Sequence, residues 1–300
     1  MANSIQAASK FVPLMDETYR KASLTSILDG DTTLVREGSN AKELIIPMMS
    51  LQGLGDYDRS SGYAQGDVTL NYETIACNYD RGRMFDVDIL DNIETASLAF
   101  GMLANEFIRN RVAPELDAFR LACYAKKAGV TKVSGTLSTG AEVVTALRTA
   151  VTQMDEDEVP PDNRYLFITP TLHGLVQDMD TTKSREVLAR FAGVVDVPQS
   201  RFYSKLVMRP GRIITTGSGD SMTTDDQRQG GFMKAADGKD LNYMVIHKPA
   251  VIQYQKHVAP KIITPDANQS ADAYKFGYRN VGIADVYENK LAGVYVHKKP

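Results

Sequence analysis

The sequence predicts an α+β protein built on an extended hairpin, one long helix and a compact α/β unit. Three observations carry this. Two extended runs, Leu44-Ile45-Ile46-Pro47 and Val68-Thr69-Leu70-Asn71-Tyr72, flank a stretch rich in turn formers. A single helical apolar phase then persists from residue 89 to about residue 127. Beyond Gly129 the pattern alternates between helices and short buried strands.

Residues 1 to about 42 read as an arm with one helical segment, because Leu14, Tyr19, Ala22, Leu24, Ile27 and Leu28 recur every three to four residues before Asp29-Gly30-Asp31 stops them. In the hairpin that follows, Gly53, Gly55 and Gly62 mark the tip. Its second strand changes face: Val68, Leu70 and Tyr72 alternate on one side, then Ile75, Cys77 and Tyr79 on the other. That predicts a bulge near Glu73 to Ile75, where the ribbon would leave its own subunit. Strands of about 15 residues would reach ~50 Å, and an isolated two-stranded ribbon is marginal in water. The ribbon therefore calls for a second subunit to lie on.

The long helix carries Ile89, Ile93, Phe100, Leu103, Phe107, Ile108, Val112, Leu116, Phe119 and Cys123 on one face. Asp91-Asn92-Ile93-Glu94 resembles a capping box that would start it. Pro114 falls inside the helix without breaking its phase, which predicts a kink or very short break in a rod approaching ~60 Å. Further on, residues 139–154 predict a helix, 164–169 a buried strand, and Pro170 the start of a helix over 171–179. Residues 210–240 are rich in Gly, Ser, Asp and Gln and predict a long loop with short strands. Strands return at 243–247, 251–258, 274–287 and 291–297.

Composition narrows the function. The chain has 300 residues, with 34 Lys plus Arg against 37 Asp plus Glu, a net charge of −3. Such a balance argues against a protein that grips nucleic acid through counterion release. No signal peptide or span-length apolar helix is legible, so no membrane is expected. Cys77 and Cys123 read as reduced thiols of a cytoplasmically made protein.

Motifs for chemistry are missing: there is no Gly-x-Ser-x-Gly elbow and no P-loop, and Gly53-x-Gly55 has Asp58 where the dinucleotide fingerprint needs a third glycine. His173, His247, His257 and His297 lack metal-ligand spacing. The acidic run 155–158 reads as a solvated helix end and linker. These features predict no catalytic residues, no metal and no cofactor. Arg81 and Arg83 stand out where ribbon meets rod, close to Asp86, Asp88 and Glu94. They read either as an ion-pair network between subunits or as solvated surface charges of little worth.

One resemblance covers nearly the whole chain. Residues 79–95 (YDRGRMFDVDILDNIET), 98–101 (LAFG), 106–109 (EFIR) and 114–120 (PELDAFR) resemble tailed-bacteriophage major capsid proteins of the Hong Kong 97-type fold. Residues 11–13 (FVP), 24–28 (LTSIL), 191–198 (FAGVVDVP) and 200–202 (SRF) add to it. The resemblance implies an N-terminal arm (1–42), an extended loop (43–85), a peripheral domain with a spine helix (86–134 and 246–300) and an apical α/β domain (135–245). It also implies a non-enzymatic shell subunit that forms hexamers and pentamers of an icosahedral head in the host cytoplasm and resides in the virion. Its partners would be itself, a portal, scaffolding or decoration proteins, and weakly contacted double-stranded DNA.

Two departures from the family pattern bear on assembly. No lysine lies between Lys42 and Lys126, which removes the amine some relatives use to weld subunits. The arm begins almost at Met1, which points to a separate scaffolding protein or none. Other readings are an encapsulin-type nanocompartment and, from another class, a small-ligand-binding α/β enzyme using residues 135–245.

Overall fold

The computed structural model describes residues 23–30, 36–37, 43–89 with short gaps near the ribbon tip, 103–216 apart from 105, and 223–300. Fifteen strands are described: β1 Arg36–Glu37, β2 Glu43–Leu51, β3 Val68–Ala76, β4 Tyr79–Asp88, β5 Thr131–Ser134, β6 Arg164–Ile168, β7 Gly193–Asp196, β8 Leu206–Met208, β9 Ile213–Thr216, β10 Thr223–Asp226, β11 Phe232–Lys234, β12 Leu241–His247, β13 Val251–Ile263, β14 Ala273–Val286 and β15 Val294–Lys298. Helices run over Ala113–Lys126, Gly140–Glu156, Pro170–Asp178 and Thr182–Leu188.

The ribbon is a sheet of its own, ordered β1-β2-β3. Its strands are nine residues long rather than about fifteen. Register runs unbroken from Glu43 opposite Ala76 to Leu51 opposite Val68, so the bulge expected near Glu73 to Ile75 is absent. The face change falls instead at Cys77-Asn78, where the chain leaves β2 and continues as β4 beside β14. Asn78 bridges that gap with its side chain: Nδ2 donates to Ala284 O (2.8 Å) and Oδ1 accepts from Ala284 N (3.1 Å). The carboxamide thus supplies one more rung beyond the last strand pair, Tyr79 opposite Gly282.

The spine is helical at the described positions from Leu103 onward, with an expanded π turn over Ile108–Val112. This turn ends next to Pro114, where Ala113 N donates to Ile108 O. A proline lacks the N–H and crowds the carbonyl four residues back, so a locally wider helix accommodates it without losing the apolar phase. Ile108, Val112 and Leu116 are buried on Tyr79, Phe276 and Tyr278 of the sheet β13-β14-β4. Phe107 meets Phe85, Phe276 and Tyr278 edge-on. The predicted start at Asp91-Asn92-Ile93-Glu94 lies outside the described residues.

A five-stranded sheet, β5-β15-β12-β6-β7, forms the second unit. It draws β5 and β15 from outside residues 135–245 and packs the helices Gly140–Glu156 and Pro170–Asp178 through Val143, Leu147, Val151, Leu172 and Val176. Thr139 caps the first of these helices: its hydroxyl accepts from Glu142 N while the Glu142 carboxylate accepts from Thr139 N, a reciprocal box. The acidic run 155–158 is exposed, as expected, and Asp155 in addition pairs with buried Arg164 (2.7 Å) at the start of β6 and with Arg190 (3.2 Å).

Of the helix expected through Leu28, the described part is a turn followed by a single 3-10 turn, Ser26–Leu28. The N–H groups of Leu24 and Thr25 are donated to the spine instead of a helical ladder.

Candidate assembly site

Three places bear on assembly: the tip of the ribbon, its root beside the spine, and the point where the arm meets the spine. At the tip, Gly62 holds φ +83°, a conformation that strains any residue with a Cβ, and an added Cβ at Gly53 would meet nothing within 4 Å. Gly55 lies in exposed coil. Tyr57 and Tyr63 meet at a tilt of 59° with ring centroids 4.9 Å apart yet remain 60% and 86% exposed. Below them Gln52 Oε1 accepts from Asp67 N at 3.2 Å. An aromatic pair held in solvent is the kind of anchor that buries itself on a partner.

At the root, β4 carries Arg81 and Arg83. Arg81 Nε pairs with Glu115 of the spine at 2.5 Å, and its Nη2 donates to the carbonyls of Arg209 (2.7 Å) and Gly231 (3.3 Å). Arg83 donates to the carbonyls of Gln229 (3.1 Å) and Arg228 (2.8 Å) while lying over the Phe85 ring. The carboxylate partner of Arg81 is Glu115 of the spine rather than its sequence neighbours. Asp86 and Asp88 are exposed on β4, and Glu94 lies outside the described residues.

The arm anchor was not legible in the sequence. Asp117, fully buried on the spine, accepts from Ser23 Oγ (2.7 Å), Leu24 N (3.0 Å), Thr25 N (3.2 Å) and Thr25 Oγ1 (2.8 Å), with Arg201 Nη1 at 3.5 Å. One turn on, buried Arg120 donates to Thr25 Oγ1 (2.9 Å) and faces Asp29 (3.4 Å). Tyr124 donates to Gln253 Oε1 (2.8 Å), and Gln253 Nε2 donates to Thr25 O (2.7 Å) and Asp29 Oδ1 (2.6 Å). A buried carboxylate is tolerable only with such a full set of donors. The available signal was a polar residue at an inward position of an apolar helix face, together with a Ser/Thr-rich segment upstream.

Burial pushes the Cys123 thiol up to about 12 and also raises the Tyr124 hydroxyl, keeping both protonated at neutral pH. Among the described residues, no three His, Cys, Asp or Glu side chains gather as metal ligands. His247 and His297 are buried, and His173 bonds Asp196 at 2.7 Å. A narrow crevice is bounded by Tyr79, Phe119, Arg120 and Tyr254. No described helix is long and apolar enough to cross a membrane.

The combination of ribbon, spine, peripheral sheet and five-stranded apical sheet defines the Hong Kong 97-type capsid fold, as comparison with solved structures bears out. A Gordonia phage Cozz structure superposes with a TM-score of 0.58 at 11% identity, covering 93% of this chain and 86% of that one. The virus-like particle from Pyrococcus furiosus gives 0.57 at 11% identity, covering 94% and 95%. The capsid of cyanophage P-SCSP1u gives 0.55 at 15% identity, covering 88% and 85%. No family model matches the chain, and no curated protein does.

Proposed function

We propose that this chain is the major coat subunit of a tailed-phage head. It would self-assemble into hexamers and pentamers of an icosahedral shell around double-stranded DNA. The observation that carries the reading is the likeness of fold to capsid and virus-like-particle structures along more than four fifths of both chains.

In this reading the ribbon and its tyrosine pair lie on a neighbouring copy, and closed rings cover the exposed strand edges. Asp86 and Asp88 are assigned to contact between subunits. The net charge of −3 suits a container that confines DNA without gripping it. Portal, scaffolding and decoration proteins are the further partners, with assembly in the host cytoplasm and residence in the virion. Electron microscopy of the purified protein tests this. Rings or closed shells are expected; a lone 33 kDa monomer with saturable small-molecule binding would favour the enzyme reading.

The likeness to the Pyrococcus furiosus particle favours a second reading, an encapsulin-type nanocompartment. Particle contents separate the two: nuclease-protected DNA fits a phage head, and co-purifying protein cargo fits the nanocompartment.

A further inference from the structure

The contacts of Arg81 and Arg83 have a common target, the neck of a two-tier hairpin. Its lower tier pairs β8 with β11 and its upper tier pairs β9 with β10. Between the tiers, residues 209–212 and 227–231 leave the regular ladder, and three glycines there take positive φ: Gly211 (+74°), Gly230 (+66°) and Gly231 (+79°). Backbone carbonyls outside a ladder need other donors. Four of them, on Arg209, Arg228, Gln229 and Gly231, receive the two guanidinium groups. The glycines also make room: a Cβ on Gly230 would lie 3.0 Å from Arg83 Nη1, and one on Gly211 3.6 Å from it.

We infer that Arg81 and Arg83 are positioning residues that lock the apical hairpin to the root of the ribbon, so that the two move as one body. Arg81 extends the lock to the spine through Glu115. The forked donor matters, since a guanidinium reaches two carbonyls at once whereas an ammonium is a point charge. Without the lock, a two-stranded hairpin on a three-glycine neck has little to fix its direction. The consequence for shell closure rests on the coat-subunit reading; the local lock does not.

The test is hydrogen exchange on the folded chain, followed by microscopy. In Arg81→Gln/Arg83→Gln, the amides of Arg209 and Gly230, which bond Gly231 O and Gln227 O, should exchange roughly tenfold faster, while those of the helix Gly140–Glu156 keep their rate. Gly230→Ala, which leaves both arginines in place, should loosen the same amides. Arg81→Lys/Arg83→Lys should fall between the glutamine variant and the wild type. Unchanged exchange at 209–231 in the glutamine variant would overturn the lock, and wild-type exchange in the lysine variant would overturn the role of the fork. Loosened amides with normal closed shells would overturn the role in assembly. If the wild type forms no shells at all, the coat-subunit reading fails and the exchange result still decides the lock.

Discussion

Asp117 accepts both the backbone N–H and the hydroxyl of Thr25, at 3.2 and 2.8 Å, although the two residues lie 92 positions apart. The contact fastens the arm to the spine through two side chains, Asp117 and Thr25, that are both fully buried.

Replacing Asp117 with Ala should therefore cost about 3 kcal/mol, because it strands several buried donors and leaves Arg120 and Arg201 with less counter-charge. Asp117→Asn, which keeps the shape but accepts at only one oxygen, should cost less. Chemical denaturation of both variants gives the comparison; a loss below about 1 kcal/mol for Ala would show that the anchor contributes little.

Lysine usage makes a covalent prediction. Because residues 43–125 contain no lysine, mature shells should carry no amine-derived cross-link through the ribbon. Boiled, reduced denaturing gels should show a single band near 33 kDa. A persistent ladder with an isopeptide mapped to residues 43–85 would contradict this.

The ribbon should be dispensable for folding and required for closure. Replacing Met48 to Gln65 with a short Gly-Ser linker removes the tyrosine pair and keeps Asn78 and β4 in place. Circular dichroism should stay near that of the parent while microscopy finds isolated capsomers at most. Shells of normal size would mean that the ribbon serves its own subunit.

Acid should weaken the apical sheet through its histidines. Burial holds His297 and His247 below their ordinary value of 6.5, and His297 Nδ1 lies 3.0 Å from Asn242 Nδ2, a contact suited to the neutral ring. The unfolded chain takes up these protons more readily than the folded one. Stability is thus complete above about 6.5 and falls as the pH drops from there toward the folded values. Melting temperatures between pH 7.5 and 5 should decline, and His297→Gln should flatten the decline; a pH-independent wild type would refute it.

The sequence reveals those parts of the fold that are written in periodicity. The spine's phase survives Pro114 on paper and in space, because Ile108, Val112 and Leu116 keep one face whether the local turn is α or π. Which carbonyl each N–H chooses leaves no trace in residue types, so the π turn itself was invisible. The ribbon was legible as two strands, but Asn78, whose side chain stands in for backbone, blurred where they end. Arg81 and Arg83 were recognisable as unusual, yet apart from the Glu115 carboxylate beside Arg81 the partners found are backbone carbonyls of residues 209–231, which carry no side-chain signature. Asp117 stands at an inward position of the spine, but its donors, Ser23, Leu24 and Thr25, lie more than ninety residues upstream, and no local pattern links them.

The placement of β15 has a consequence for synthesis. This strand sits between β5 and β12, parallel to the first and antiparallel to the second, and it is the last of the five to be made. While the ribosome is still short of Val294, β5 has no neighbour and β12 presents an open edge, so the apical unit cannot close on a nascent chain. Chains stalled before that residue should be digested by protease as if unfolded, and chains released after Lys298 should resist it. Translation order thereby acts as a timer: the five-stranded sheet, and with it any surface built upon it, is complete only once Val294–Lys298 has been made.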